Sequence, residues 1–288
     1  MPGYEEKFFQ SRDGLRLYYR DYGGAFDRAP VLCLHGLTRN CRDFESVAAS
    51  IAPHRRVITV DQRGRGRSQY DPAWLNYHPG TYVTDMWALL DQLSIRRAIL
   101  IGTSLGGLMA ILMAAMRPQA LAGVVLNDIG PELDPTGAQR IANYAGRLAP
   151  VRTWADAVDQ VKQTFGLALP DYGDAQWREF AEKSFIEDAS GVPRLAADPR
   201  IGDALRSIPA PPGATQGMWL AFCALRNVPT LAIRGAHSDL LSENTFDRMQ
   251  RELPHLKRVT VPNRGHPPQL DEPEAREALR LFLDGVSE

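Results

Sequence analysis

A serine set between two glycines, where an apolar run gives way to a helix-forming one, is the segment of this chain best suited to covalent chemistry. Residues 98–101 read Ala-Ile-Leu-Ile, and Gly102-Thr103-Ser104-Leu105-Gly106 follows as a G-x-S-x-G pattern that opens into Gly107-Leu108-Met109. A strained strand-to-helix turn needs glycine at 102 and 106, because neighbouring backbones approach too closely for a larger side chain. The same turn lifts the Ser104 hydroxyl clear of the sheet and sets it at a helix N-terminus. There the positive end of the helix dipole and the amide of Leu105 can stabilise negative charge on an attacked carbonyl. The chemistry predicted is nucleophilic attack by Ser104, with the Leu105 N–H as one oxyanion donor.

Such a turn requires a parallel sheet behind it. Short continuous apolar runs recur at 31–34, 57–60, 98–101, 124–126, 231–233 and 259–261, the pattern of strands buried on both faces. Helical spacing at 82–93 and 104–116 lies between some of them, which predicts right-handed crossovers and a doubly wound α/β sheet. Ahead of these runs, residues 7–11 and 15–20 flank Arg12-Asp13-Gly14, predicting an antiparallel hairpin at the sheet edge. The strand rhythm stops over 131–225, where helical patches are broken by Pro150, Pro170, Pro193, Pro199 and the Pro-rich stretch 209–212. The predicted division is therefore a core of 1–130 and 226–288 with a helical cap inserted at 131–225. The alternative is a second helical layer beside the sheet. Because the insertion leaves the core at the carboxyl end of a strand, on the side of Ser104, it is expected to overhang the site. Its Met218 and Trp219 are candidate pocket-wall residues.

Composition narrows the partners. The 33 basic and 34 acidic side chains nearly cancel, so no global field gathers nucleic acid or an anionic membrane. No apolar run approaches the length of a membrane span, and the opening residues lack a secretory apolar stretch. A soluble, cytoplasmic protein with a small-molecule partner is expected. Cys33, Cys41 and Cys223 are sparse and odd in number, and the histidines show no metal-ligand spacing, so neither a disulfide framework nor a metal site is expected. Arg63, Arg65 and Arg67 alternate with glycines, yet the order of a phosphate-binding loop is absent.

In sequence the chain resembles the α/β-hydrolase superfamily, in particular its small capped esterase-like members with a serine nucleophile. The resemblance rests on His35-Gly36-Leu37-Thr38, Asp61-Gln62-Arg63-Gly64-Arg65-Gly66-Arg67-Ser68, the Ser104 turn, Asn127-Asp128-Ile129-Gly130-Pro131, Arg234-Gly235-Ala236-His237-Ser238-Asp239, and Gly265-His266. It implies that the Leu37 amide is the second oxyanion donor, that His35 shapes its loop, and that His266 is the general base. Asp61 and Arg63 would tie into the scaffold and Ser68 would shape the pocket edge. The same resemblance, with loop order Ser, Asp, His, makes Asp239 the expected acid, with Asp128 the competing choice because some relatives place the acid before the cap. Ester hydrolysis without a cofactor is the broadest expectation. Lactones, thioesters and carbon–carbon bonds are open to the same triad, and a non-catalytic small-molecule receptor is the alternative from another class. Acyl and alcohol preference and oligomeric state are not written in these motifs.

Overall fold

The edge hairpin forms about Gly14, whose φ of 91° suits a residue without a side chain. Strands β1 (Glu5–Gln10) and β2 (Arg16–Asp21) pair antiparallel across it. The computed structural model describes residues 3–25, 27–208 and 211–286. The expected core strands are β3 (Val31–Leu34), β4 (Val57–Val60), β5 (Ala98–Thr103) and β6 (Leu121–Asn127). After a small hairpin, β7 (Phe185–Glu187) with β8 (Pro193–Leu195), the core resumes as β9 (Thr230–Gly235) and β10 (Lys257–Val261). The main sheet has eight strands in the order β1-β2-β4-β3-β5-β6-β9-β10, parallel from β4 to β10.

Helices cover both faces because consecutive strand residues point to opposite sides. On one face Leu100 packs with Met86 and Trp87 of α2 (Pro79–Gln92) and Met109 and Met113 of α3 (Leu105–Met116). On the other, Ile99 and Ile101 pack with Val47 and Ile51 of α1 (Glu45–Ile51) and Phe282 of the C-terminal helix. Each such apolar side chain, removed fully from water, contributes about 1.5–3 kcal/mol, and the continuous runs in β3, β4, β5, β6 and β9 are the consequence of burial on both faces, whereas the edge strand β10 is largely exposed.

Between β6 and β9 lie α4 (Pro135–Tyr144), α5 (Trp154–Phe165), α6 (Asp174–Ser184), α7 (Arg200–Ser207) and α8 (Ala214–Cys223), together with the β7–β8 hairpin. The core then closes with α9 (Glu243–Glu252) and α10 (Pro273–Gly285). The inserted helices do not act as one body. Val161, Trp177, Phe180 and Phe185 make a separate apolar cluster from α5, α6 and the hairpin. Helix α8 instead lies along α3, and its Trp219 and Phe222 join the core beneath it. The insertion thus divides between an apolar cluster of its own and the helices packed on the sheet. Pro209 and Ala210, within the Pro-rich break, lie outside the described residues. Among the described residues the three cysteines are free, no cluster of three or more metal-ligating side chains occurs, and no helix is long and apolar enough to cross a membrane.

Candidate active site

Ser104 caps α3 with φ 52° and ψ −116°, a strained backbone that costs about 1–3 kcal/mol and is held by the surrounding structure. Its amide donates to the Asn127 carbonyl at 3.0 Å, tying the turn to the end of β6. The two glycines are there for space. A Cβ on Gly106 would stand 2.0 Å from the Leu34 carbonyl oxygen, and one on Gly102 would stand 2.4 Å from the Gly106 carbonyl carbon.

His266 stands on the loop after β10, 5% exposed, with Nε2 2.9 Å from the Ser104 Oγ. Its Nδ1 lies 2.7 Å from Oδ2 of Asp128, a fully buried carboxylate on the first residue past β6. With the ring proton on Nδ1 donated to Asp128, Nε2 keeps its lone pair for the serine proton. Asp128 is itself fixed from β9: the Gly235 amide donates to Oδ1 at 2.8 Å and the Ser238 hydroxyl to Oδ2 at 2.7 Å. The histidine loop is braced at two points. Asn127 donates its side-chain amide to the Pro268 carbonyl at 2.9 Å, and the Gly265 amide donates to Ala168 of the insertion at 2.9 Å. Asn127 therefore serves both sides of the site, its backbone holding Ser104 and its side chain holding the loop of His266.

Asp239, the acid expected from the sequence, makes no hydrogen bond to His266, whose Nδ1 is taken by Asp128. Arg140 of α4 grips it with two hydrogen bonds, at 2.6 and 2.8 Å. Burial works against the charge on Asp239, but this guanidinium prevails and holds its carboxyl below the ordinary range. The residue immediately past β6 is already at the imidazole, and Asp128 takes the hydrogen bond expected of Asp239. The chain past Gly235 instead turns towards α4, where the Gly137 amide also donates to the Asp239 carbonyl at 2.9 Å. Ser238 is the member of the His237-Ser238-Asp239 stretch that reaches the site, through Asp128.

Leu37 follows β3 and lines the same cavity as Ser104, while Leu105 is the first residue of α3, whose first-turn amides have no partner inside the helix. Arg65, fully buried, donates Nε to the Leu37 carbonyl at 2.9 Å and anchors that loop. His35 anchors it too. Its Nε2 accepts the Gln62 amide at 3.0 Å, so the ring is neutral and its Nδ1 proton goes to the Gly36 carbonyl at 2.7 Å. Burial, helped by Arg65, pushes its pKa from 6.5 down to about 3. The unfolded chain then binds a proton that the folded one refuses between those values, so this contribution to stability is complete above pH 6.5 and is lost as pH falls towards 3. Urea midpoints measured across that window should decline on acidification, and less steeply in His35→Gln than in the wild type. Equal slopes in the two proteins would contradict this reading of the ring.

The arginine-glycine stretch faces inward. Arg63 is buried among Asp13, Asp71 and Asp85, each within 3.0 Å. Asp61 accepts the Cys41 and Arg67 amides, so it and Arg63 both belong to the scaffold. Ser68, expected at the pocket edge, lies away from it. It accepts the Tyr18 amide at 2.8 Å and donates to the Asp61 carbonyl, fastening the turn to β2.

Ser104 and His266 open onto a cavity walled by Leu37, Ile141, Tyr144, Phe165 and Phe180. The last three are aromatic rings in sequence, Tyr144 on α4, Phe165 on α5 and Phe180 on α6, with centroids 5.9 and 5.0 Å apart. Met218 and Trp219, the expected wall, are not among the lining residues. Trp219 is buried against Phe222 and under Arg248, and donates Nε1 to Glu132 at 3.1 Å; Met218 packs against the core. The aromatic content of the insertion signalled a wall, but the turning of α8 onto α3 is a tertiary fact that local sequence does not carry.

A strand-to-helix serine at the carboxyl edge of a mostly parallel sheet, met there by a histidine from the last loop, defines an α/β-hydrolase-fold enzyme. The sequence agrees: the family described as the alpha/beta hydrolase fold matches residues 29–273, and the chain belongs to it. The structure is similar to a crystal structure of an alpha/beta hydrolase from Novosphingobium aromaticivorans, with 40% identity, a TM-score of 0.92 and 99% of each chain covered. In sequence the chain is 32% identical over 277 residues to the 3-hydroxybutyrate-oligomer hydrolase of Cupriavidus necator, covering 94% of each. It is also 27% identical over 282 residues to an sn-1-specific diacylglycerol lipase of Danio rerio, covering 90% of this chain and 79% of that one. The protein is an α/β-fold hydrolase.

Proposed function

We propose that this hydrolase cleaves carboxylic esters of small substrates through a Ser104–His266–Asp128 triad and an acyl-enzyme. The observation that carries the proposal is the unbroken hydrogen-bonded chain from the Ser104 hydroxyl through His266 to the buried Asp128. Ser104 Oγ attacks the ester carbonyl carbon as its proton passes to His266 Nε2. The oxyanion is received by the backbone amides of Leu37 and Leu105. The carbon–oxygen bond to the alcohol then breaks, and the alcohol leaves with the proton from His266. Water gives a proton to the same nitrogen, attacks the acyl-enzyme, and the acid departs as Ser104 is reprotonated. The Asp128 carboxylate, hydrogen-bonded to Nδ1, offsets the charge of the imidazolium. Apart from the ester and water, these steps use only groups of this chain and call for no cofactor.

The name of the Cupriavidus necator relative supports an ester bond, since an oligomer of a hydroxy acid is joined through esters. The test is pre-steady-state hydrolysis of p-nitrophenyl acetate. A burst of p-nitrophenol stoichiometric with enzyme is expected, followed by slower turnover. Turnover of a vinylogous diketone with no ester turnover would overturn the ester reading.

Acyl preference should follow the aromatic wall. Each methylene buried is worth about 0.8 kcal/mol, so kcat/KM should climb with acyl length until the chain meets the wall. Phe165→Ala should move that optimum to a longer acyl group. Trp219→Ala should leave it in place and instead lower stability, by about 3–5 kcal/mol for a buried tryptophan. A shifted optimum in Trp219→Ala with none in Phe165→Ala would reverse the assignment of the wall.

A further inference from the structure

The cavity beside Ser104 is apolar on its insertion side, yet its other wall holds an ion pair. Arg39 and Asp43 both line it. Arg39 is 9% exposed and donates Nε to Asp43 Oδ2 at 2.8 Å and Nη2 to Oδ1 at 2.6 Å, while Nη1 donates to the Ser184 hydroxyl. The guanidinium also lies over the Phe180 ring, 4.0 Å from its centroid. The stem of Arg39 runs close to Ser104. A Cβ built on Gly36 would be 3.5 Å from Arg39 Cγ and 3.8 Å from Ser104 Cβ, so one glycine separates the arginine stem from the serine.

A largely buried ion pair is weak support for stability, because desolvation consumes much of its Coulomb energy. Its placement in a substrate cavity therefore calls for a polar reason. Arg39 commits three of its five N–H groups to Asp43 and Ser184, and Asp43 commits two of its roughly four lone-pair positions to Arg39. What is left is a donor beside an acceptor. That set does not suit a substrate carboxylate, which would gain Arg39 but meet the like charge of Asp43. Nor does it suit a plain alkyl chain, which would leave both groups unanswered. It suits a hydroxyl, which accepts from the guanidinium and donates to the carboxylate through one oxygen.

We infer that Arg39 and Asp43 form a hydroxyl-reading subsite and that the preferred substrates are esters of short hydroxy acids. This rests on the ester hydrolase reading above and adds to it the chemistry of the acyl group. A site built to hydrogen-bond a substrate hydroxyl discriminates against the analogue lacking it more sharply than an apolar pocket separates homologues.

The test compares methyl lactate with methyl propanoate, methyl β-hydroxybutanoate with methyl butanoate, and monomethyl succinate with both, by pH-stat. In the wild type the better hydroxy ester should exceed its parent in kcat/KM by about tenfold or more, and monomethyl succinate should be the poorest. In Asp43→Asn and Arg39→Lys the hydroxy-to-parent ratio should fall towards unity. The ratio is independent of the fraction of enzyme that is folded, and two variants guard against failure of either one. A wild-type ratio near or below unity, a preference for the succinate ester, or a ratio unchanged in both variants would overturn the subsite while leaving ester hydrolysis standing. Hydrolysis that persists undiminished in Ser104→Ala would instead remove the ester reading on which the subsite depends.

Discussion

Ser104→Ala is expected to lower kcat for ester hydrolysis by about a thousandfold or more, because the hydroxyl supplies the covalent bond on which both half-reactions run. Substrate binding should change little, so the loss falls on kcat. Stability should stay about level, because alanine carries the same Cβ at φ 52° and keeps the backbone bond from residue 104 to Asn127. Denaturant midpoints alongside steady-state kinetics separate the two effects. Retained turnover, or lost turnover with a collapsed midpoint, would remove Ser104 from the role given to it.

Asp128→Asn is expected to cost about ten-thousandfold in kcat, the magnitude known for the same exchange in a serine protease triad. The amide can donate to His266 Nδ1, which places the ring proton on Nε2, where it cannot accept from Ser104. The fold should survive, since the remaining carbonyl oxygen still accepts the Gly235 amide. Asp239→Asn should be mild by comparison, within about tenfold in kcat, because its carboxylate is engaged by Arg140 and the triad keeps its own acid. Its cost should appear mainly in the hold of α4 on the core. Matched stability measurements on both variants are needed to read the kinetic difference as chemistry.

These two aspartates mark where sequence reading stops. β3 and β4 were legible because every residue in them is buried, and that leaves an unbroken apolar run. The Ser104 turn was legible because its demands are local: two glycines, a strand before and a helix after. The acid was not. Asp128 and Asp239 both follow a core strand, and the choice between them turns on which loop leads back to the imidazole. In the structure the residue directly past β6 meets the imidazole, whereas the loop past β9 carries Asp239 to Arg140 of the insertion, a pairing that no local pattern announces. The Ser238 hydroxyl, which bonds Asp128, explains why the loop after β9 looks like part of the site even though its aspartate pairs with Arg140. The pocket wall failed for a related reason. Trp219 and Phe165 are equally apolar, and only the packing of α8 on α3 sends one to the core and leaves the other facing Ser104.

The assignment of the triad is tested most directly by the rate at which a fluorophosphonate labels Ser104, followed by intact-protein mass spectrometry and peptide mapping in the wild type, Asp128→Asn and Asp239→Asn. The reagent needs the activated serine and the oxyanion site but not the acyl pocket, so it reports the hydrogen-bonded chain without a choice of substrate. The expected result is one adduct on the peptide containing Ser104, formed at similar rates in the wild type and Asp239→Asn and at least about a hundredfold slower in Asp128→Asn. Rapid labelling in Asp128→Asn with slow labelling in Asp239→Asn, or an adduct on another serine, would contradict the triad.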